Sequence, residues 1–321
     1  MSDLELAAAD WLGALRAEYL ASFVADGGGA VKVAVVPGPQ AGGTLMRRLL
    51  AEARELGFVA VTVDAAACKV HLLHNLFHEM ARQIEWDVLA RDFVRSQMLS
   101  AGLALPADGG LDVETVARAN DQDVTIVKQD VRLALTRQLM RDRGLSRQFR
   151  LGALALCQAL LEPDDLRREL AEHVKAWLRG ELPRVGPLRQ AFIYQKIDRH
   201  TARTMILSTA AFARKAGRQG LVATVDVSRY ALPRLLDDGR NRYSKSAALD
   251  MWETLRQFVD GTDDLTGGLF VFLVGREFLE DDERGMRGYN ALHLRLTDDV
   301  RDRRRPNPLA AMVRLADEGA W

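Results

Sequence analysis

Cysteine is almost missing from this chain: Cys68 and Cys157 are the two among 321 residues. Neither belongs to a CxxC pair, so a thioredoxin-like redox centre and a zinc ribbon are excluded, and a reducing cytoplasm is the expected compartment. An excess of charge is missing too. Lys plus Arg and Asp plus Glu each total 44, so no bulk field draws the chain to nucleic acid or membrane, and only local patches remain. No uncharged apolar run approaches the roughly 18 residues of a membrane span, and the N-terminus MSDLELAAADWLGALRAEYL carries acids where a leader carries basic residues. Neither secretion nor membrane insertion is expected. Hydrolase signatures are absent as well, with no GxSxG, no cysteine with a partner histidine and no spaced carboxylate pair.

What is present is apolar material, 48% of residues, enough to build one large or two ordinary domains. Ser2 with Glu5 makes a capping-box pattern, and Leu4, Ala8, Trp11, Leu12, Leu15, Tyr19 and Phe23 follow at helical spacing until Gly27 to Gly29. Val31 to Val36 reads as a strand of the kind buried in a parallel sheet. Leu45, Leu49, Leu50, Ala53 and Leu56 then line a helix that Gly57 closes, and Phe58 to Val63 is a second strand ending at Asp64. From Lys69 to Leu182 the periodicity is helical throughout, broken near Pro106 to Gly110, at Gly144 and at Pro163. Strands return at Leu221 to Asp226 and Leu269 to Val274, around a helix from Ala247 to Val259. This alternation predicts an α/β fold with a mainly parallel sheet and a large helical insertion. The expected divisions are 1–66 for the first part of the core, 67–195 for the insertion and 196–321 for the rest.

The segment VKVAVVPGPQAGGTLMRRLL, Val31 to Leu50, supplies a strand, a glycine-rich turn and a helix, the three parts of a phosphate-binding loop. The motif GxxxxGK[ST] also needs a lysine and a hydroxyl. Started at Gly38 it keeps Gly38 and Gly43 but puts Thr44 at the lysine and Leu45 at the hydroxyl; started at Pro37 it keeps Gly42 and Thr44, with Gly43 at the lysine. The second register is preferred, because it places Thr44 at the helix start with Leu45 turned to the sheet. Neither has the lysine, a charge-assisted contact worth roughly 1.5–3 kcal/mol. Arg47 and Arg48 lie one turn further on and offer a substitute if a side chain curls back; an ordinary strand-to-helix turn is the alternative. In LVATVDVSRY, Asp226 stands where a metal-side carboxylate is expected, and Val227 where an ATPase has its glutamate. A strand-end aspartate is also a common turn residue.

The chain from LRQAFIYQKIDRH onward, through TARTMILSTAAFARKAGRQGLVATVDVSRY, LFVFLVGREFLEDDERGMRGYNALHLRL and RRRPNPLAAMVRL, resembles the ATP-binding P-loop proteins of BREX-type bacterial phage-defence systems. The resemblance spans about Val31 to Leu315 and is strongest after Arg189. It implies a P-loop NTPase fold of the AAA-like kind, ATP with Mg²⁺ as ligand, and partners among an active ATPase, a methyltransferase, a phosphatase-like protein or a helicase, with DNA near at hand. By position it implies Gly38, Gly42, Gly43, Thr44 and Arg47 at the nucleotide loop, Asp226 at the strand end, and Arg295 of ALHLRL as a phosphate-reading arginine in its own or a neighbouring subunit, where an ion pair with Asp298 or Asp299 is the plainer role. The missing lysine and glutamate point to a degenerate nucleotide-binding, scaffolding or regulatory subunit with weak or no hydrolysis. The alternatives are an active ATPase using an arginine or a partner residue, and a DNA-binding module.

Other constellations compete. His71, His74 and His78 fall at i, i+3 and i+7 on one predicted helical face, but HExxH fails and no metal is expected. Lys128 to Arg150 carries seven basic and two acidic residues with Phe149 as its one aromatic, and Arg301 to Arg305 reads RDRRR. Neither has the repeated interleaving of aromatics or a recognisable DNA-reading motif, so solvated helix faces are the plainer reading. The acidic run Glu277 to Gly285 reads as a solvated loop, and Trp86, Trp177 and Trp252 as core.

Overall fold

The computed structural model describes residues 5–232, 239–297 and 306–317. These form two compact units, one from 1–80 with 219–321 and one from 81–218.

The first unit opens with α1 (Ala8–Ala14), which widens into an i→i+5 bonded turn from Leu15 to Phe23 and buries Trp11, Leu12, Leu15 and Leu20. Ser2 lies outside the described residues, and Glu5 precedes the helix in extended chain. Gly27, at φ 105°, ends the segment where a side chain would be strained. β1 (Gly29–Val35), α2 (Pro39–Glu55) and β2 (Val59–Asp64) follow, with Gly57 at φ 84° turning the helix into the strand. Then come α3 (Leu73–Arg82), α4 (Trp86–Ser100), α5 (Val113–Ala119), α6 (Val124–Met140), α7 (Arg147–Leu161), α8 (Asp165–Leu178) and α9 (Ala202–Lys215). The chain returns through β3 (Leu221–Asp226), α10 (Lys245–Asp260), β4 (Gly268–Val274), α11 (Glu277–Glu280), α12 (Asn290–Thr297) and β5 (Met312–Arg314). α9, outside the expected insertion, belongs to the helical unit.

All five strands are parallel, in the order β2-β3-β4-β1-β5. Fully buried strands need apolar residues on both faces, which is why β3 and β4 read as unbroken apolar runs. One face, through Ala30, Ala34, Leu269, Val271 and Leu273, packs on α1 and α2 with Trp11, Leu45 and Leu49. The other carries Phe270 and Phe272, whose rings lie 5.0 and 5.5 Å from Phe258 of α10. β5 was not foreseen: three residues, one of them buried, give too short a run to stand out. It is held by the backbone of β1, Val33 N donating to Ala311 O at 2.8 Å and Leu315 N to Val35 O at 3.0 Å, and Lys32, buried inside β1, adds bonds from Nζ to Leu309 O and Ala310 O just before it.

Order and direction fix where a ligand can sit. The chain leaving β1 passes β4 and β3 to reach β2, whereas the chain leaving β4 passes β1 to reach β5. Adjacent strands whose connections depart in opposite senses leave a crevice at their carboxyl ends. That crevice lies between the ends of β1 and β4.

Candidate functional site

The segment after β1 is shorter than its sequence suggests. Val36 N donates to Val274 O at 2.9 Å, continuing the ladder, and α2 begins at Pro39 with Gly42 N bonded to Gly38 O at 3.1 Å. Gly42, Gly43 and Thr44 therefore lie within helix, and only Val36, Pro37 and Gly38 link the two elements. Pro39 favours this early start, since its ring presets the helical φ and its missing N–H is no loss in a first turn. Gly38, the cap, is extended and offers no side chain to the first turn. Among the described residues, the N–H groups of Gly38, Gln40 and Ala41 are those left for an anion, since neither proline has one.

The glycines divide by role. A Cβ on Gly42 would lie 3.3 Å from Val36 Cγ2 and 3.4 Å from Leu273 Cδ2, so this glycine lets α2 approach the sheet. Gly38 and Gly43 have nothing within 4 Å of a Cβ position. Arg47 does curl back: its Nη2 donates to Thr44 Oγ1 at 3.0 Å and its Nε to Gly43 O at 3.3 Å. Leu45 is buried against the sheet, but Thr44, expected at the helix start, lies in the second turn because Pro39 begins the helix earlier.

Asp226 closes β3 level with Leu273 of β4, and Val35 of β1 pairs with Val274 on the other side of that strand. Two strand spacings, about 10 Å, thus separate Asp226 from the exit of β1. Its Oδ1 accepts from Ser228 N at 2.9 Å and Ser228 Oγ at 2.6 Å, a turn closed on itself. Burial holds the carboxyl above its ordinary range; the Ser228 bonds oppose this and the charge of Asp64 adds to it. Asp64 is the register partner of Asp226 across β2 and β3, and sequence reasoning passed over it. The signal was the shared ending of VAVTVD and LVATVD.

A raised carboxyl pKa favours the protonated fold. The stability it contributes is complete below the unfolded pKa and is lost as pH rises through the folded one. Asp226→Asn, which keeps an acceptor for Ser228 and carries no charge, is expected to unfold at higher urea than the parent near pH 7, with the gap closing near pH 3. Equal midpoints near pH 7 would show that the carboxylate is not under electrostatic stress.

A model of the family described as BREX system ATP-binding protein BrxC/D matches residues 18–317. The chain belongs to this family. No curated protein and no solved structure matches it. Membership makes this BrxC/D-family chain a component of a BREX phage-defence system, a family of ATP-binding proteins, with other proteins of that system as partners. Among the described residues no helix is long and apolar enough to cross a membrane.

In this family member Arg295 is not gathered to the loop. Its Nε donates to Asp260 Oδ1 at 2.8 Å, and Arg256 pairs with the same carboxylate. Asp260 ends α10, and the chain from it leads through Leu265, whose carbonyl a Cβ on Gly29 would strike, to the beginning of β4. Arg295 therefore sits where the strands begin, about 20 Å from where they end. Asp298 and Asp299, the ion-pair partners considered from sequence, lie outside the described residues. So does the basic run Arg301 to Arg305.

The three histidines do not share a helical face. α3 starts at Leu73, leaving His71 in the preceding turn, where its Nδ1 lies 2.8 Å from Tyr230 Oη and its N donates to that oxygen at 3.0 Å. Among the described residues no three His, Cys, Asp or Glu side chains could hold a metal ion. Tyr230 stacks on Tyr243 at 3.8 Å, and Tyr243 Oη donates to Ala65 O and Cys68 O, so the chain leaving β3 is fastened to the chain leaving β2. Burial pushes Tyr243 up to about 12 and Tyr230 further. The acidic run is partly helical: Glu277–Glu280 form α11, which buries Phe278, while the rest is turn with Asp282 and Glu283 exposed. Trp86, Trp177 and Trp252 are buried, as expected.

Proposed function

We propose that this BREX-family chain is a nucleotide-binding or scaffolding subunit on a P-loop, AAA-like core whose hydrolytic machinery has decayed. The early start of α2 at Pro39 carries the reading. A hydrolytic phosphate loop wraps the β and γ phosphates in successive inward N–H groups and adds a lysine. Here three backbone donors remain, Gly43 occupies the lysine position, and Val227 follows Asp226 where a water-polarising glutamate is expected. These residues fit a phosphate group held at a helix N-terminus, with Arg47 nearby. They fit Mg²⁺-dependent hydrolysis poorly, since the lysine and the glutamate are both missing, while Oδ1 of the strand-end carboxylate also holds Ser228. Bound ATP would add negative charge at the N-terminus of α2 and so favour that helix end; a structural role for the nucleotide follows. A phosphate contact by Arg295 falls to a neighbouring subunit, given its distance from the loop.

Affinity is expected to fall about one to two decades below that of a loop with its lysine. Gly43 faces open space, so Gly43→Lys is expected to tighten binding of a fluorescent ATP analogue roughly tenfold by returning that contact. A phosphate-release assay on the parent chain decides catalysis. Steady Mg²⁺-dependent turnover, abolished by Asp226→Asn, overturns the proposal.

A further inference from the structure

The helical unit holds an open cavity of about 350 Å³, within the range of ligand pockets, that the nucleotide loop does not involve. Arg147 and Gln148 at the start of α7, Phe192, Tyr194 and Gln195 after α8, and Thr204 of α9 line it. Two large rings stand in the open here: Phe192 is 63% exposed and Tyr194 59%. Phe192 also holds φ 58°, a left-handed backbone that ordinary side chains rarely adopt, so the chain keeps a strained aromatic without burying it. Behind the rings, Gln148 Nε2 donates to Gln195 Oε1 at 2.9 Å, while Gln148 Oε1, shut off from solvent, accepts no hydrogen bond.

Charge completes the pattern. From Arg184 to Arg203 the chain carries Arg184, Arg189, Lys196, Arg199 and Arg203 against Asp198 alone, five cations to one acid. That carboxylate is occupied by the N–H groups of His200 and Thr201 and by Thr201 Oγ1. Exposed rings flanked by cations and amides match what a nucleic-acid strand offers: flat bases to stack, base edges to bond and phosphates at regular intervals. Arg147 lines the cavity, and the other cations follow one another along the segment on either side of Phe192 and Tyr194, a spacing that suits a polyanion better than a single nucleotide. A duplex cannot use the site, because its bases are already stacked.

The geometry points to a binding site for single-stranded nucleic acid, with a base entering the cavity against Tyr194 and Phe192, the paired glutamines at its edge, and Arg147, Lys196 and Arg199 on the backbone. The site lies within 81–218 and stands whether or not ATP binds elsewhere.

Fluorescence anisotropy of the full chain with fluorescein-labelled 20-nucleotide oligothymidine and oligouridine tests it. Salt-sensitive binding of either strand is expected, weakened roughly tenfold by Tyr194→Leu and restored by Tyr194→Phe. Arg147→Gln is expected to lower the slope of log K against log salt by about one, whereas Tyr194→Leu leaves it unchanged. Phe192→Gly, which removes the ring and relieves the backbone, is expected to raise the melting temperature while weakening binding severalfold, opposite movements that a structural role would not produce. No binding of either strand, an unchanged affinity in Tyr194→Leu, or equal competition by a duplex or by thymidine monophosphate would each overturn the proposal.

Discussion

Trp252→Ala is expected to lower the free energy of unfolding by about 3–5 kcal/mol. Trp252 is fully buried on α10, its ring 4.8 Å from Phe278 and 6.2 Å from Tyr230, and its Nε1 donates to Arg284 O at 2.7 Å. Truncation removes the largest filler beneath the turn that follows Asp226 and leaves that carbonyl without its donor. A domain of this size has only about 5–15 kcal/mol in hand, so the loss is a large fraction of the whole. The effect reaches the site because Tyr230, which Trp252 supports, bonds His71 and stacks on Tyr243. Urea unfolding followed by tryptophan fluorescence measures it; a loss under about 1 kcal/mol would mean that the cluster repacks around the gap.

Gly220→Ala is expected to cost on the order of 4 kcal/mol, through a different cause. Gly220 stands at φ 145° immediately before β3, and a Cβ there would fall 2.0 Å from Gly267 O. That oxygen is backbone and accepts from Leu221 N at 2.9 Å, so it cannot yield without parting β3 from the entry to β4. Gly43→Ala serves as the control, because it meets open space within a helix and is expected to stabilise slightly, by up to about 1 kcal/mol. Comparable midpoints for the two variants in thermal unfolding would refute the steric account.

Four of the five strands were legible because parallel strands buried on both faces write themselves as unbroken apolar runs. β5 was not, since it is three residues long and takes its place from pairing with β1 far back in the chain, where Lys32 also reaches Leu309 O, 277 residues away. The helix start was misread for a related reason. Pro37, Gly38, Pro39, Gly42 and Gly43 together signal a loop, yet Pro39 serves as a first-turn residue and Gly42 as a contact point with the sheet. Charge pairing over distance was also invisible: the sequence proposed near neighbours for Arg295, and the fold supplies Asp260. The one aromatic of the basic stretch Lys128 to Arg150, Phe149, is buried. The fold brings Arg147 together with Phe192 and Tyr194 instead. Lys128 and Arg132 of that stretch pair with Glu162, and Arg150 bonds Met140 O and Asp142 O, so those cations serve the helical unit itself.

The strand order has a bearing on how the chain is made. β1 leaves the ribosome well before either of its neighbours, β4 and β5, which follow only after the run of helices from α3 to α10. Until they emerge, an apolar strand with two open flanks must be kept from pairing elsewhere, while the helices of 81–218 can gather a core of their own. β1 is therefore sealed only after the whole helical stretch has been made, and the crevice between its end and that of β4 comes into being no earlier.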